Sequence, residues 1–285
     1  MAKKPKKQRK RPPKPAKRKP IVVAGVVILM LAFFTFFGLS MFSNSGTSSS
    51  SNQPVQAKKV DWEVVNSYPH DPDAFLQGLV WFNNSFYEST GRNGKSSLRH
   101  VEFPSGNILK KFDLPPQYFG EGLAMVGDKL FQLTWTSKKA FVYDRETFNL
   151  LHEYTYNTEG WGLTYDGKYL ILSDGSSTLT YYDPDNFHPI KKLNVTNNGS
   201  PVLRLNELEY INGEIWSNIW QTDQIVRINP DTGQVTSYLD MTGLLTREFR
   251  TGREDVLNGI AYDPQTKRIF VSGKLWPRIF EIKLK

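Results

Sequence analysis

From Leu76 onward, short apolar runs alternate with polar turn signals at a nearly constant interval. The segment "LQGLVWFNNSFYESTG" begins at Leu76, "GEGLAMVGDKLFQLTW" at Gly120 and "GWGLTYDGKYLILSDG" at Gly160. "LNELEYINGEIWSNIW" follows at Leu205 and "LNGIAYDPQTKRIFVSGK" at Leu257, giving spacings of 44, 40, 45 and 52 residues. A recurrence of that order marks a repeat architecture, in which each unit is one supersecondary element. Within each unit an apolar run, a turn ("NN", "GD", "DG", "NG" or "DPQT") and a run of alternating aromatic and polar residues predict a β-hairpin. Further turns follow at "EFPSGN", "YDRETF", "YYDPDN" and "INPDTG", built from the Pro, Asp, Asn and Gly that type I turns use. Four strands per unit make a propeller blade.

The last unit holds only three strands and ends in "RIFEIKLK". The segment "VDWEVVNSYP", residues 60–69, supplies the missing one. The expected fold is therefore an all-β, five-bladed propeller over residues 60–285, its last blade closed by the N-terminal strand. A sandwich with fortuitous spacing is the competing architecture, and five matching units count against it. No stretch after residue 60 has the periodicity of a helix. In a propeller the innermost strand of each blade lines the central channel. The variable letters of the opening motif, Gln77, Glu121, Trp161, Asn206 and Asn258, are thus expected to converge on one mouth.

Charge changes the picture only at the N-terminus. The formal net charge is +8, yet residues 1–20 hold 11 Lys and Arg and no acid, so the other 265 residues carry 25 bases against 28 acids. The basic tail is not a face of the folded domain, and no nucleic-acid partner is expected. Residues 21–42, "IVVAGVVILMLAFFTFFGLSMF", contain no charge and are long enough for a bilayer, which takes about 20 residues. A cleaved signal peptide fits less well, because its apolar region runs to about 7–15 residues with a small-residue cleavage site. The expectation is a transmembrane signal anchor with its lysine-rich flank in the cytoplasm and the remainder outside the cell membrane. Residues 43–59 are Ser-rich and read as a flexible tether, reaching about 20–25 Å. There is no cysteine, which removes disulfide frameworks and thiolate metal sites.

With these segments placed, the chain resembles the glutaminyl-peptide cyclotransferases of plants and bacteria. The matching stretches are "HDPDAFLQGL", "YFGEGLA", "LTW", "EGWGLTYDG", "LNELEYINGEIWSNIWQTD", "VLNGIAYD" and "VSGKLWPRIFEI", from about residue 62 to the C-terminus. The resemblance implies a five-bladed propeller that converts the N-terminal glutamine of a peptide to pyroglutamate and releases ammonia. It places Phe75, Gln77, Phe119, Trp135, Trp161, Asn206 and Trp220 around the substrate, with Glu121 and Lys274 in the chemistry.

The residues bear this out to different degrees. Glu121 between two glycines is either a solvated loop acid or a pocket carboxylate; an aromatic-walled pocket would raise its pKa toward proton transfer near neutrality. Trp161 stands where sibling repeats place Gln, Glu and Asn, so it faces the channel. Without the resemblance, Trp135 and Trp220 read better as core fillers, and Lys274 reads by default as a surface lysine, although it follows a glycine at a strand end and precedes "LWP". His70, His100, His152 and His188 show no ligand spacing, and GxSxG, P-loop and dinucleotide patterns are absent. No cofactor or catalytic metal is expected. A structural calcium held by Asp71, Asp73, Glu207, Glu209 and Asp255 stays open, although these acids follow no loop pattern. The sequons at Asn83, Asn194 and Asn198 are compatible with surface loops. The expected unit is a monomeric, membrane-tethered acyltransferase acting on peptides with N-terminal glutamine. The alternative is a tethered propeller that binds peptides or glycans without turning them over.

Overall fold

A computed structural model describes residues 57–285. The tail, the expected span 21–42 and most of the tether lie outside the described residues. Among the described residues no helix is long and apolar enough to cross a membrane.

Five four-stranded antiparallel blades follow the repeat read from the sequence. Their inner strands are Leu76–Phe82, Gly120–Val126, Leu163–Tyr165, Leu205–Ile211 and Leu257–Asp263. The fifth blade is completed by Trp62–Pro69, which pairs antiparallel with Arg278–Leu284 from Trp62 opposite Leu284 to Pro69 opposite Arg278. This closure ties the two ends of the repeat into one sheet, with Trp62–Pro69 as its outer strand. Among the described residues helix is confined to one short 3-10 turn, Arg247–Phe249.

Three details differ from expectation. Lys58 and Lys59, assigned to the tether, form a short parallel strand on Val235–Asp240, so the fourth blade has five strands. Ala57 is buried beside them, and the folded unit begins ahead of Val60. A small ribbon, Thr196–Asn197 with Ser200–Pro201, precedes the fourth blade.

The core consists of five apolar clusters along the sheets, because each blade has two faces to cover and neighbouring blades supply the cover. Leu76, Leu79 and Phe86 of the first blade, for example, pack on Ala261, Phe270 and Ile279 of the fifth. Large side chains of this kind contribute about 1.5–3 kcal/mol each on burial. At the axis the inner strands approach so closely that a Cβ at Gly122 would overlap the backbone of Gly162 and Leu163, and one at Gly162 the carbonyl of Asn206. The glycine that follows the variable letter is thus a packing requirement. Only the fourth blade breaks it, with Glu207, and its carboxylate spans the axis. The Leu79 amide of the first blade donates to one oxygen at 3.3 Å, and the Ile260 amide of the fifth donates to the other at 2.9 Å.

Candidate active site

The variable letters sit where the inner strands stop being regular. Pairing with the second strand skips a step between Leu76 and Gly78, Gly120 and Leu123, Leu205 and Leu208, and Leu257 and Ile260. Gln77, Glu121, Asn206 and Asn258 are the residues inside those irregularities. A bulge bends the strand and re-aims a side chain, here off the sheet face and toward the channel mouth. Trp161 lies just before its shorter strand, its amide donating to the Ser173 carbonyl at 2.9 Å.

One cavity of about 340 Å³ at this mouth gathers Phe75, Gln77, Phe119, Glu121, Trp135, Trp161, Asn206, Trp220 and Lys274, all nine residues named above, together with Gln221, Asp255 and Val256. Asn258, expected among them, lies one layer deeper. Its amide donates to Gln77 Oε1 at 3.2 Å and to the Leu76 carbonyl at 3.0 Å, which fixes which end of Gln77 faces the pocket. Gln77 Nε2 then donates to Glu121 Oε1 at 3.0 Å.

Glu121 and Lys274 are each only 5% exposed. Burial pushes the Glu121 carboxyl well above the usual carboxylate range; the Lys274 ammonium draws it partly back and Glu159 adds to the rise. Burial lowers Lys274, while Glu121 and Asp255 oppose that shift. The site thus holds an acid and a base whose ordinary pKa values have been moved toward each other, the condition for proton transfer near neutrality. Lys274 is held from several sides. Its Nζ lies 5.1 Å from the centre of the Phe75 ring, its amide donates to Val256 O at 3.0 Å, and the next amide, of Leu275, donates to Ala74 O at 2.8 Å. Behind this loop the buried His70 donates from Nδ1 to the Trp276 carbonyl at 2.6 Å and faces Glu88 with its other nitrogen at 3.3 Å.

The walls are aromatic and arranged edge to face. Phe75 meets Phe119 at 6.0 Å between ring centres, Phe119 meets Trp135 at 5.6 Å, and Trp161 meets Trp220 at 5.3 Å. Glu159, which sequence reasoning overlooked, ties two of these walls together. Its Oε2 accepts the indole N–H of Trp135 at 2.7 Å and of Trp161 at 2.9 Å. The signal was present in "EGWG", two residues ahead of Trp161.

The acids considered for calcium do not converge. Asp71 pairs with Arg99 at 2.7 Å and Asp73 with Arg253 at 2.8 Å, while Glu207 and Glu209 accept backbone amides. Among the described residues no three His, Cys, Asp or Glu side chains are grouped to hold a metal ion.

A five-bladed propeller carrying a buried glutamate and lysine in an aromatic pocket at one channel mouth defines the class of protein. The family model described as glutamine cyclotransferase matches residues 38–284. A glutaminyl-peptide cyclotransferase of Arabidopsis thaliana is 43% identical over 266 residues, covering 91% of this chain and 82% of that protein. The crystal structure of Myxococcus xanthus glutaminyl cyclase superposes with a TM-score of 0.75 at 39% identity, over 81% of this chain and 99% of that one. The chain belongs to the glutamine cyclotransferase family.

Proposed function

We propose that the chain converts the N-terminal glutamine of peptides to pyroglutamate. The α-amine nitrogen attacks the γ-amide carbon of the same residue, a five-membered lactam forms, and the amide nitrogen leaves as ammonia. The reaction is intramolecular, so the enzyme's task is to hold the side chain curled over the amine, to move one proton and to support charge on the oxygen. Glu121 takes a proton from the attacking amine and delivers it to the departing nitrogen. Gln77 and Asn206 orient the amine and the amide, and Lys274 supports the negative charge that develops on the amide oxygen. The rings of Phe75, Phe119, Trp135, Trp161 and Trp220 grip the aliphatic stem and displace water.

The observation that carries this reading is that Glu121 and Lys274 share one pocket, with Gln77 bonded to Glu121. A binding module has no need of a buried proton carrier opposite a buried ammonium, so the non-catalytic alternative is disfavoured. All the groups invoked belong to the protein, and no metal or cofactor enters the scheme. We assign residues 21–42 the role of a membrane anchor that holds a monomeric domain at the outer face of the cell membrane with its N-terminus in the cytoplasm.

Ammonia release from a Gln-Phe dipeptide tests the reaction. The parent chain is expected to release ammonia between pH 6 and 9, and its absence throughout that range refutes the assignment. Glu121→Gln is expected to lower kcat by about 10²–10⁴-fold while the melting temperature is retained.

A further inference from the structure

Two exposed arginines lie over rings that line the pocket. Arg92, in the loop between the second and third strands of the first blade, has φ 82° and places its guanidinium 4.6 Å from the centre of the Phe75 ring. Arg204, at the entrance to the fourth blade's inner strand, has φ 65° and lies 6.0 Å from the centre of the Trp220 ring. Its amide donates to Gly175 O at 2.8 Å, and its carbonyl accepts from the Trp220 amide at 2.9 Å. The backbone is thereby locked in the left-handed region.

Both side chains are exposed, and both rest on rings that line the pocket. Five arginines elsewhere, Arg99, Arg145, Arg227, Arg253 and Arg268, pair with carboxylates. Among the described residues Arg92 and Arg204 are in no such pair, nor are Arg247, Arg250 and Arg278, which hold no ring of the pocket. The only polar side-chain contact of Arg204 among these residues is from Nη1 to Gln221 Oε1 at 3.2 Å.

Among the described residues no acid at the mouth forms an ion pair with them. Glu159 is bound to two indoles, Asp73 is paired with Arg253, and Asp255 accepts the Val256 amide at 2.7 Å within the field of Lys274. Two guanidinium groups without a carboxylate partner among the described residues, one on each of two separate blades, therefore lie over rings that line a cavity sized for one side chain. A peptide whose first residue is in that cavity carries its following residues within reach of this rim.

We propose that this site selects peptides in which the residues following the N-terminal glutamine are acidic, with Arg92 and Arg204 receiving their carboxylates. The proposal rests on the cyclisation reading given above. A guanidinium held near a ring keeps its N–H fork free to bind a carboxylate.

The test compares kcat/KM for Gln-Glu-Glu-Phe-amide and Gln-Lys-Lys-Phe-amide, which differ in charge and lack a C-terminal carboxylate. Two exposed ion pairs are expected to favour the acidic peptide by about 3- to 25-fold at low salt. That ratio should shrink in about 0.5 M NaCl, where screening acts over about 4 Å. In the Arg92→Asn/Arg204→Asn double variant, asparagine tolerates the left-handed backbone and the ratio should fall to within about twofold of one. The corresponding double Lys variant should retain most of it, and melting curves report whether each variant is folded. Turnover of both peptides at equal rates, or a ratio unchanged in the folded Asn variant, overturns the acidic preference alone. Failure to release ammonia from all three, the acidic peptide, the basic peptide and Gln-Phe, overturns the cyclisation reading beneath it.

Discussion

Replacing Glu209 by glutamine should make the protein's stability less sensitive to alkaline pH, by an amount that follows from where the carboxylate sits. Glu209 lies two residues beyond Glu207 on the innermost strand of the fourth blade. Its Oε1 accepts the Tyr262 amide of the fifth blade at 3.0 Å, and its Oε2 accepts the Thr164 hydroxyl of the third at 3.4 Å. Burial raises its pKa from 4.5 to about 8, the hydrogen bonds only partly opposing the rise. Because the folded-state value is the higher one, this acid's contribution is fully present below about pH 4.5. It is lost progressively as pH rises through about 8 and is constant above that. At 1.36 kcal/mol per pH unit the interval is worth about 5 kcal/mol, and partial contact with solvent at the far mouth of the channel trims this to about 3–5 kcal/mol.

Glutamine can accept the Tyr262 amide with its own oxygen and stays neutral throughout. Urea unfolding of parent and Glu209→Gln chains at intervals from pH 4.5 to 8.5 isolates the effect, since all other titrating groups are common to both. Near pH 4.5 the two should differ by less than about 1 kcal/mol, and by pH 8 the variant should be the more stable by about 3–5 kcal/mol. A difference that stays constant across the range refutes the reasoning. The result bears on function because Glu207 and Glu209 together join strands of the first, third, fourth and fifth blades at the axis.

Three further expectations concern the site and its support. In the pH profile of kcat/KM the acidic limb reports Glu121, whose pKa the Lys274 charge holds down, so Lys274→Met should move that limb to higher pH; a limb that does not move separates the two groups. Activity should survive dialysis against a strong zinc chelator, and loss of turnover restored by zinc alone would show that the site has been misread. A chain beginning at Ala57 should be folded and fully active, whereas one beginning at Tyr68 loses most of the closing strand and the bond from Trp62 Nε1 to Asp240 O at 2.7 Å. Its strand Arg278–Leu284 is left unpaired on one side, so it should melt lower and aggregate; equal melting temperatures would refute the closure. Trp62 accounts for more of that loss than Val64 and Val65, which are 45% and 55% exposed and contribute little packing.

The repeat interval, the turn residues and the alternation of apolar and polar positions determined the blade count, the strand count and the strand that closes the ring, because those features depend on local periodicity. The slot occupied by Gln77, Glu121, Trp161 and Asn206 was legible for the same reason: in a closed repeat, equivalent positions converge. Local pattern could not show that Asn258 would sink a layer below its siblings and orient Gln77, since that depends on how far each bulge projects. Nor could it show that Glu159 would bridge Trp135 and Trp161, or that Glu207 would replace an axial glycine and join the first and fifth blades. Lys58 and Lys59 carry no strand signal of their own and pair only because the edge of Val235–Asp240 is there to receive them. The roles of Lys274, Arg92 and Arg204 were likewise invisible in isolation, because a cation's environment is set by the groups that surround it. Those groups come from different blades, and closure of the ring alone brings them together.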